Sequence, residues 1–337
     1  MNDHGAYNRH SLVREMLQTP DLIRSFRLKD AEPVIAAVRE TGKVILTGEG
    51  SSRIFPAKNA VAWARRKGLR LDLVTGGSRQ ASEYDLGDRV VMGASNSGRT
   101  RELIALFEAL RKRGHRRLYS ITANPGTPLE SLSDRTFLLT CGREDAVAAT
   151  KSVQEMALFY FALLNAAEGL GIDDQLAEAA EAVERALRMP IDGEITEAVA
   201  GASTLYFAGR DDGVAEELAL KTNEIIRRKS GYFEGTYALH GVEEVLNPDD
   251  VVLWIEPFEE EYEKIRSALI DGVGMKVLAI SEKDTPFPTI RIRGARELTN
   301  LVRLAAGWNL LVEAGMRLGI DLDRPARARK VGNEFTG

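Results

Sequence analysis

Residues 90–105 run Val90-Val91-Met92-Gly93-Ala94-Ser95-Asn96-Ser97-Gly98-Arg99-Thr100-Arg101-Glu102-Leu103-Ile104-Ala105. An apolar run of strand character gives way to a polar loop, and the loop to helical periodicity. The loop carries three hydroxyls, one amide and a glycine. Lying between a strand's carboxyl end and a helix's amino end, it collects side-chain donors and backbone N–H groups, and the helix dipole favours an anion there. Plain N-capping is the alternative reading, because Ser and Thr are preferred caps. Capping needs one such residue, however, and this loop holds several.

Outward from this stretch the same alternation continues. Strands are expected at Val44–Thr47, Leu71–Val74, Arg117–Thr122 and Thr136–Cys141, with helices at Ile54–Lys67, Thr100–Arg113 and Thr150–Gly169. A second series follows: strands at Leu205–Ala208, Val251–Ile255, Lys276–Ile280 and Pro288–Ile292, with helices at Val214–Lys229, Glu259–Gly272 and Ala295–Leu318. Alternating strands and helices predict α/β units, each a parallel sheet covered by helices on both faces. The strand centres Leu46 and Met92 lie 46 residues apart, as do Phe207 and Leu253, with the second pair displaced by 161. Matched spacings predict a duplicated unit. Between the halves, Leu176, Ala180, Val183 and Leu187 share one helical face, which predicts a packed connector.

Composition agrees. The chain has 337 residues, with 44% hydrophobic and 28% charged, as in folded globular proteins. Length alone predicts two domains. Lys+Arg 45 against Asp+Glu 50 leaves a net charge of -5, which gives a nucleic-acid role no electrostatic support. The longest apolar run, Met156–Leu164, is far short of the ~20 residues of a membrane span. Met1–Met16 carries no apolar signal core. One cysteine, Cys141, allows neither an internal disulfide nor a CxxC site, and a reducing cytoplasm fits.

Other segments could carry chemistry. Gly48-Glu49-Gly50-Ser51-Ser52 also follows a strand, but Arg53 stands where a dinucleotide fingerprint needs its third glycine, and no Walker lysine is present. Two hydroxyl-rich loops at strand carboxyl ends suit a small phosphorylated molecule. Lys221 and Glu224 lie one turn apart and share a helix face, which on spacing alone fits a surface ion pair. His240, in Tyr237-Ala238-Leu239-His240-Gly241, on its context alone fits a hydrogen-bonded structural residue better than a catalyst. No His, Asp or Glu cluster has metal-ligand spacing, so no metal and no cofactor is expected.

At these residues the chain resembles the sugar isomerase (SIS) family in its tandem-domain form, across about Leu17–Lys330. The family includes the isomerase half of glucosamine-6-phosphate synthase, SIS-type glucosamine-6-phosphate deaminases and fructosamine-6-phosphate deglycases. The markers are Gly48–Ser52, Ser82-Glu83-Tyr84, Ser95–Thr100 and Ala146-Val147-Ala148-Ala149-Thr150-Lys151-Ser152. The resemblance implies sugar-phosphate contacts for Ser51, Ser52, Ser95, Asn96, Ser97 and Thr100, with Val147 and Ala149 also lining the substrate. Ala219-Leu220-Lys221-Thr222-Asn223-Glu224-Ile225 resembles the family helix that carries the catalytic base, implying that role for Glu224 with Lys221 assisting. His240 implies ring opening, from a neighbouring subunit of a homodimer. Pro325-Ala326-Arg327-Ala328-Arg329-Lys330 resembles the tail that brings a catalytic lysine, Lys330.

The implied architecture is two tandem SIS domains, each a three-layer α/β/α sandwich: residues 1–172, a connector 173–192, a second domain 193–323 and a catalytic tail 324–337. The implied reaction is aldose–ketose isomerisation of a phosphorylated sugar, deaminating in the branch that Arg99 and the Ala146–Ser152 run resemble. A chain that opens Met1-Asn2-Asp3-His4 offers no N-terminal cysteine to take ammonia from glutamine. Plain isomerisation of a 6-phospho or 6-sulfo sugar, deglycation, and a non-catalytic sensor are the alternatives. Ala149 replaces a sugar-contacting serine of several relatives, Glu49 a small residue, and Tyr237 and Leu239 charged ones, so the pocket is expected to differ from the synthase's.

Overall fold

The computed structural model describes Met1, residues 5–330 and residues 333–335. The chain divides into two compact units. One comprises Leu22–Glu144, Ala149–Leu176 and the tail from Arg329; the other comprises Met1, residues 5–21, Asp145–Ala148 and Ala177–Ala328.

The first unit holds β1 (Lys43–Gly48), β2 (Asp72–Gly77), β3 (Val90–Ala94), β4 (Leu118–Thr122) and β5 (Arg135–Leu138). They form one sheet in the order β2-β1-β3-β4-β5, with every pairing parallel. Strands β3 and β4 are buried along their whole length, which is why they read as unbroken apolar runs rather than alternating ones. Helices α1 (Arg101–Lys112) and α2 (Lys151–Ala167) belong to this unit, with Ile54–Lys67 packed on α2 through an edge-to-face Trp63–Phe161 pair at 5.0 Å. The helices Thr19–Ser25 and Glu32–Thr41, which precede β1, were not visible in the periodicity.

The second unit repeats the plan with β6 (Thr204–Gly209), β7 (Lys229–Glu234), β8 (Val251–Ile255), β9 (Lys276–Ser281) and β10 (Thr289–Arg291). Its order β10-β9-β8-β6-β7 is the first sheet's order read from the other edge, again all parallel. The duplication expected from spacing is therefore present in topology. Helices α3 (Val214–Ile225) and α4 (Thr299–Arg317) pack on each other, with Leu218 and Trp308 fully buried.

One expected element is corrected. The helix predicted over Val214–Lys229 stops at Ile225, because Arg227 adopts a left-handed conformation at φ 55. Its guanidinium bonds the Asp321 carbonyl, and Lys229–Glu234 leaves the helix to pair with β6. Among the described residues no helix is long and apolar enough to cross a membrane.

Candidate active site

In a 2-1-3-4-5 sheet the strand order reverses between β1 and β3, and ligands bind over the carboxyl ends at that point. Both loops singled out from the sequence leave those two strands. Ser95 is buried at the end of β3; its Oγ lies 2.8 Å from Thr100 Oγ1 and 3.5 Å from Ser97 Oγ, and accepts the Gly98 N–H at 3.1 Å. Thr100 is the N-cap of α1, yet its side chain makes no capping bond. Its hydroxyl faces Ser95 instead, so Thr100 does not cap the helix through its side chain. Gly98 has φ 65, and a Cβ there would stand 2.4 Å from Thr127 Oγ1, so no other residue fits. The Asn96 carbonyl accepts Thr122 Oγ1 and Asn124 Nδ2, at 3.1 and 2.8 Å, leaving its amide to point elsewhere. Ser51 and Ser52 form a short 3-10 turn after β1 and are half-buried. Glu49 accepts the Ser78 N–H at 2.7 Å, its carboxylate set at the start of the short helix Ser78–Ala81.

The Asn96 amide reaches a residue that sequence reasoning missed. Glu144 is buried, and its carboxylate accepts Asn96 Nδ2 at 3.1 Å, the Thr150 N–H at 2.8 Å and Ser152 Oγ at 2.6 Å. Lys330 Nζ lies 3.7 Å from the same carboxylate. The tail is held there by backbone pairing: the Arg101 N–H donates to Asn333 O at 3.1 Å, and the Phe335 N–H to Arg99 O at 2.9 Å. Thus the lysine and the hydroxyl loop, 230 or more residues apart in the chain, share one unit. The only sequence signal for Glu144 was its place just ahead of the Ala146–Ser152 run. Ala149 lies in that run and is half-buried, while the Val147 N–H is spent on the Asp323 carbonyl at 3.1 Å.

In the second unit, α3 places Glu217, Lys221 and Glu224 on one face. Lys221 Nζ is fully buried, 2.6 Å from Glu224 Oε2 and 3.2 Å from Glu217 Oε1. Glu217 is also fully buried; Glu224 alone keeps 24% of its side chain exposed. Burial by itself would lower the Lys221 pKa. The two carboxylates, Glu224 foremost, outweigh it and hold the pKa above the ordinary lysine value. Lys221 is thus held between two carboxylates, of which only Glu224 is reachable from solvent. This is not the surface pair that spacing allowed. Glu217 was missed because one buried acid among several on a charged helix leaves no mark.

His240 is exposed at the end of a short turn, its Nε2 3.3 Å from Thr236 Oγ1. No hydrogen bond joins it to Glu224. Beside it in the chain, Tyr237 is 58% exposed and Val245 72%.

His10, Asp321 and Asp323 come close enough to hold a metal ion, a grouping that spacing along the chain could not reveal. Asp323, however, uses both oxygens on the Ser11 and Leu12 N–H groups at 2.8 Å, and Arg9 Nε faces His10 Nε2 at 3.1 Å. Cys141 is no thiolate nucleophile: burial, and then the neighbouring Glu155 carboxylate, push its pKa far up.

Residues 78–166 match the family model of the SIS domain. The chain is 24% identical over 354 residues to a glutamine--fructose-6-phosphate aminotransferase (isomerizing) of Shouchella clausii, covering 97% of this chain and 59% of the relative's length. Two solved structures have the same fold throughout. The C-terminal domain of glucosamine-fructose-6-phosphate aminotransferase from Francisella tularensis superposes with TM-score 0.78 at 19% identity, covering 96% of this chain and 100% of that one. Glucosamine-6-phosphate deaminase from Thermotoga maritima does so with TM-score 0.74 at 20% identity, covering 95% and 99%.

Proposed function

We propose that this protein is an aldose–ketose isomerase of a phosphorylated sugar, and that its reaction is deaminating: a hexosamine 6-phosphate and water give a ketohexose 6-phosphate and ammonia. The observation that carries the reading is the Glu217–Lys221–Glu224 group. A buried ammonium beside a partly exposed carboxylate keeps a base in place to move a proton between adjacent carbons, a role worth about 10²–10⁴-fold in rate. The Ser95–Thr100 loop supplies hydroxyls and N–H groups for the phosphate. The names of the two similar structures, one an isomerising aminotransferase domain and the other a deaminase, support the substrate class.

In this reading His240 opens the ring. Glu224 takes the C2 proton of the open aldehyde, giving an enolamine, and returns it to C1 to leave a ketimine. Water adds to C2, the C–N bond breaks and ammonia leaves. Lys330 contacts the oxygen on which negative charge develops. We assign the protein to the cytoplasm and His240 to the site of a second copy in a homodimer, consistent with the exposed Tyr237 and Val245 near it.

The test is a panel of hexose, hexosamine and 6-sulfo sugars with ketose and ammonia both followed. Hexosamine 6-phosphates are expected to yield the two in equal amounts. Glu224→Gln is expected to lose about 10²–10⁴-fold in turnover while its melting temperature still rises with the sugar phosphate. Ketose without ammonia would move the assignment to a plain isomerase, and no turnover on any member would end the enzyme reading.

A further inference from the structure

The two halves carry equivalent loops with different contents. Ser95 follows β3, and 161 residues on Glu256 follows β8, the same strand of the repeated sheet. The flanking backbone contacts match, although Glu256 is left-handed and Ser95 is not. The Ser95 N–H donates to Ile121 O on β4 at 3.0 Å, and the Glu256 N–H to Ile280 O on β9 at 2.8 Å. A Cβ on Gly48 would stand 2.6 Å from Ala94 O, and one on Gly209, its equivalent, 3.2 Å from Ile255 O. Where the first half has hydroxyls, the second has a carboxylate, and that carboxylate is gripped by donors.

Glu256 Oε1 accepts Ser281 Oγ at 3.0 Å, and Oε2 accepts the Glu282 N–H at 3.1 Å and Arg303 Nη2 at 3.2 Å. Ser281 is buried, and Arg303 and Glu256 keep only 13% and 18% of their side chains exposed. A buried hydroxyl, a backbone N–H and a guanidinium are the donor set of a small-anion site. Arg303 Nε, also buried, has no hydrogen-bond partner among the described residues. The carboxylate meets three donors and leaves Arg303 Nε as a fourth that a phosphate-class anion, with its further oxygens, could use. The backbone shows the same tension: Glu256 sits at φ 51, a left-handed conformation that side chains other than glycine's rarely adopt.

We propose that the C-terminal half retains a binding site for a phosphate-class anion, and that Glu256 occupies it as a tethered ligand, so the native chain binds sugar phosphate in one half only. The inference leans on the proposed phosphate role of Ser95–Thr100 for the comparison between halves, not for the donor set itself. Replacing Glu256 with glycine removes the tethered anion and suits the left-handed backbone. It leaves Ser281, the Glu282 N–H and Arg303 to a free anion, beside the Glu282 carboxylate that already pairs with Arg303 at 2.7 Å.

The experiment compares the full-length native chain with Glu256→Gly by equilibrium dialysis of labelled inorganic phosphate and by thermal shift with phosphate, formate and chloride. Glu256→Gly is expected to bind one more phosphate per chain than the native protein. Its melting temperature should rise more with phosphate than the native one's, less with formate, and no more than the native one's with chloride. Adding Arg303→Met should remove the extra site. A native chain that binds no phosphate would count against the role of the Ser95–Thr100 loop, while a gain from none to one would still support this site. Should the glycine variant fold poorly, Glu256→Ser, which copies the matched residue of the first half, takes its place; recovery of folding in phosphate supports the proposal. A folded variant with the native stoichiometry and no added phosphate stabilisation overturns it.

Discussion

At the residue scale, the charge on Lys221 decides how the proposed base works. Both of its partners are carboxylates, and its folded-state pKa is raised. Stability from such a group is fully present below the unfolded lysine value of about 10.4 and is lost only as pH climbs through the higher folded value. Lys221 therefore stays an ammonium through the neutral range and cannot itself accept the substrate's proton. Lys221→Met leaves buried Glu217 with an uncompensated charge, and removal of one partner of a buried pair costs about 3–5 kcal/mol. A lowered melting temperature at pH 7 is expected, with the gap to the native chain narrowing above pH 10.4. A gap that is flat from pH 7 to 11 would show that the ion pair contributes nothing. The pairing of Lys221 with Glu224 was legible at three residues' spacing. The burial that turns it from a solvated pair into a charged device was not, because a helix's polar residues do not announce which of them faces another helix.

At the element scale, short-range pattern located most strands and helices, since buried parallel strands have a strong apolar signature. It failed at the end of α3, where the helical pattern runs on past Ile225 but the backbone turns at Arg227 and enters β7. Pairing with β6 outweighs local helix propensity there. The tail is the opposite case: a segment with no periodicity takes its conformation from α1's first turn. Asn333 O accepts the Arg101 N–H that a free helix end would leave to water. Deleting the chain from Arg329 onward removes Lys330 and this pairing together. Turnover is expected to fall below detection, while the melting temperature drops by only a few degrees, because none of the segment's described residues, 329, 330 and 333–335, is buried in the core. A truncated chain with native turnover would exclude Lys330 from the chemistry.

At the scale of the whole molecule, the exposed His240 bears on assembly. If a second copy completes each site, mixing Glu224→Gln with His240→Asn chains and allowing exchange should restore about a quarter of native activity for a random 1:1 mixture, since half of the dimers would be mixed and each would hold one intact site. Size-exclusion chromatography with light scattering gives the accompanying mass. A monomer, or mixed chains as inactive as either parent, would place His240 outside the reaction. What the amino-acid order determined by itself was the repeat, the parallel α/β class and the hydroxyl loop after β3, because these depend on apolar runs and chain neighbours. Tertiary structure alone decided that Glu144 joins Asn96 to Lys330, that buried Glu217 shares Lys221 with Glu224 and that Glu256 meets Ser281 and Arg303. Each is a polar contact across a long stretch of chain, where the donor and acceptor types are common and only folding makes them meet.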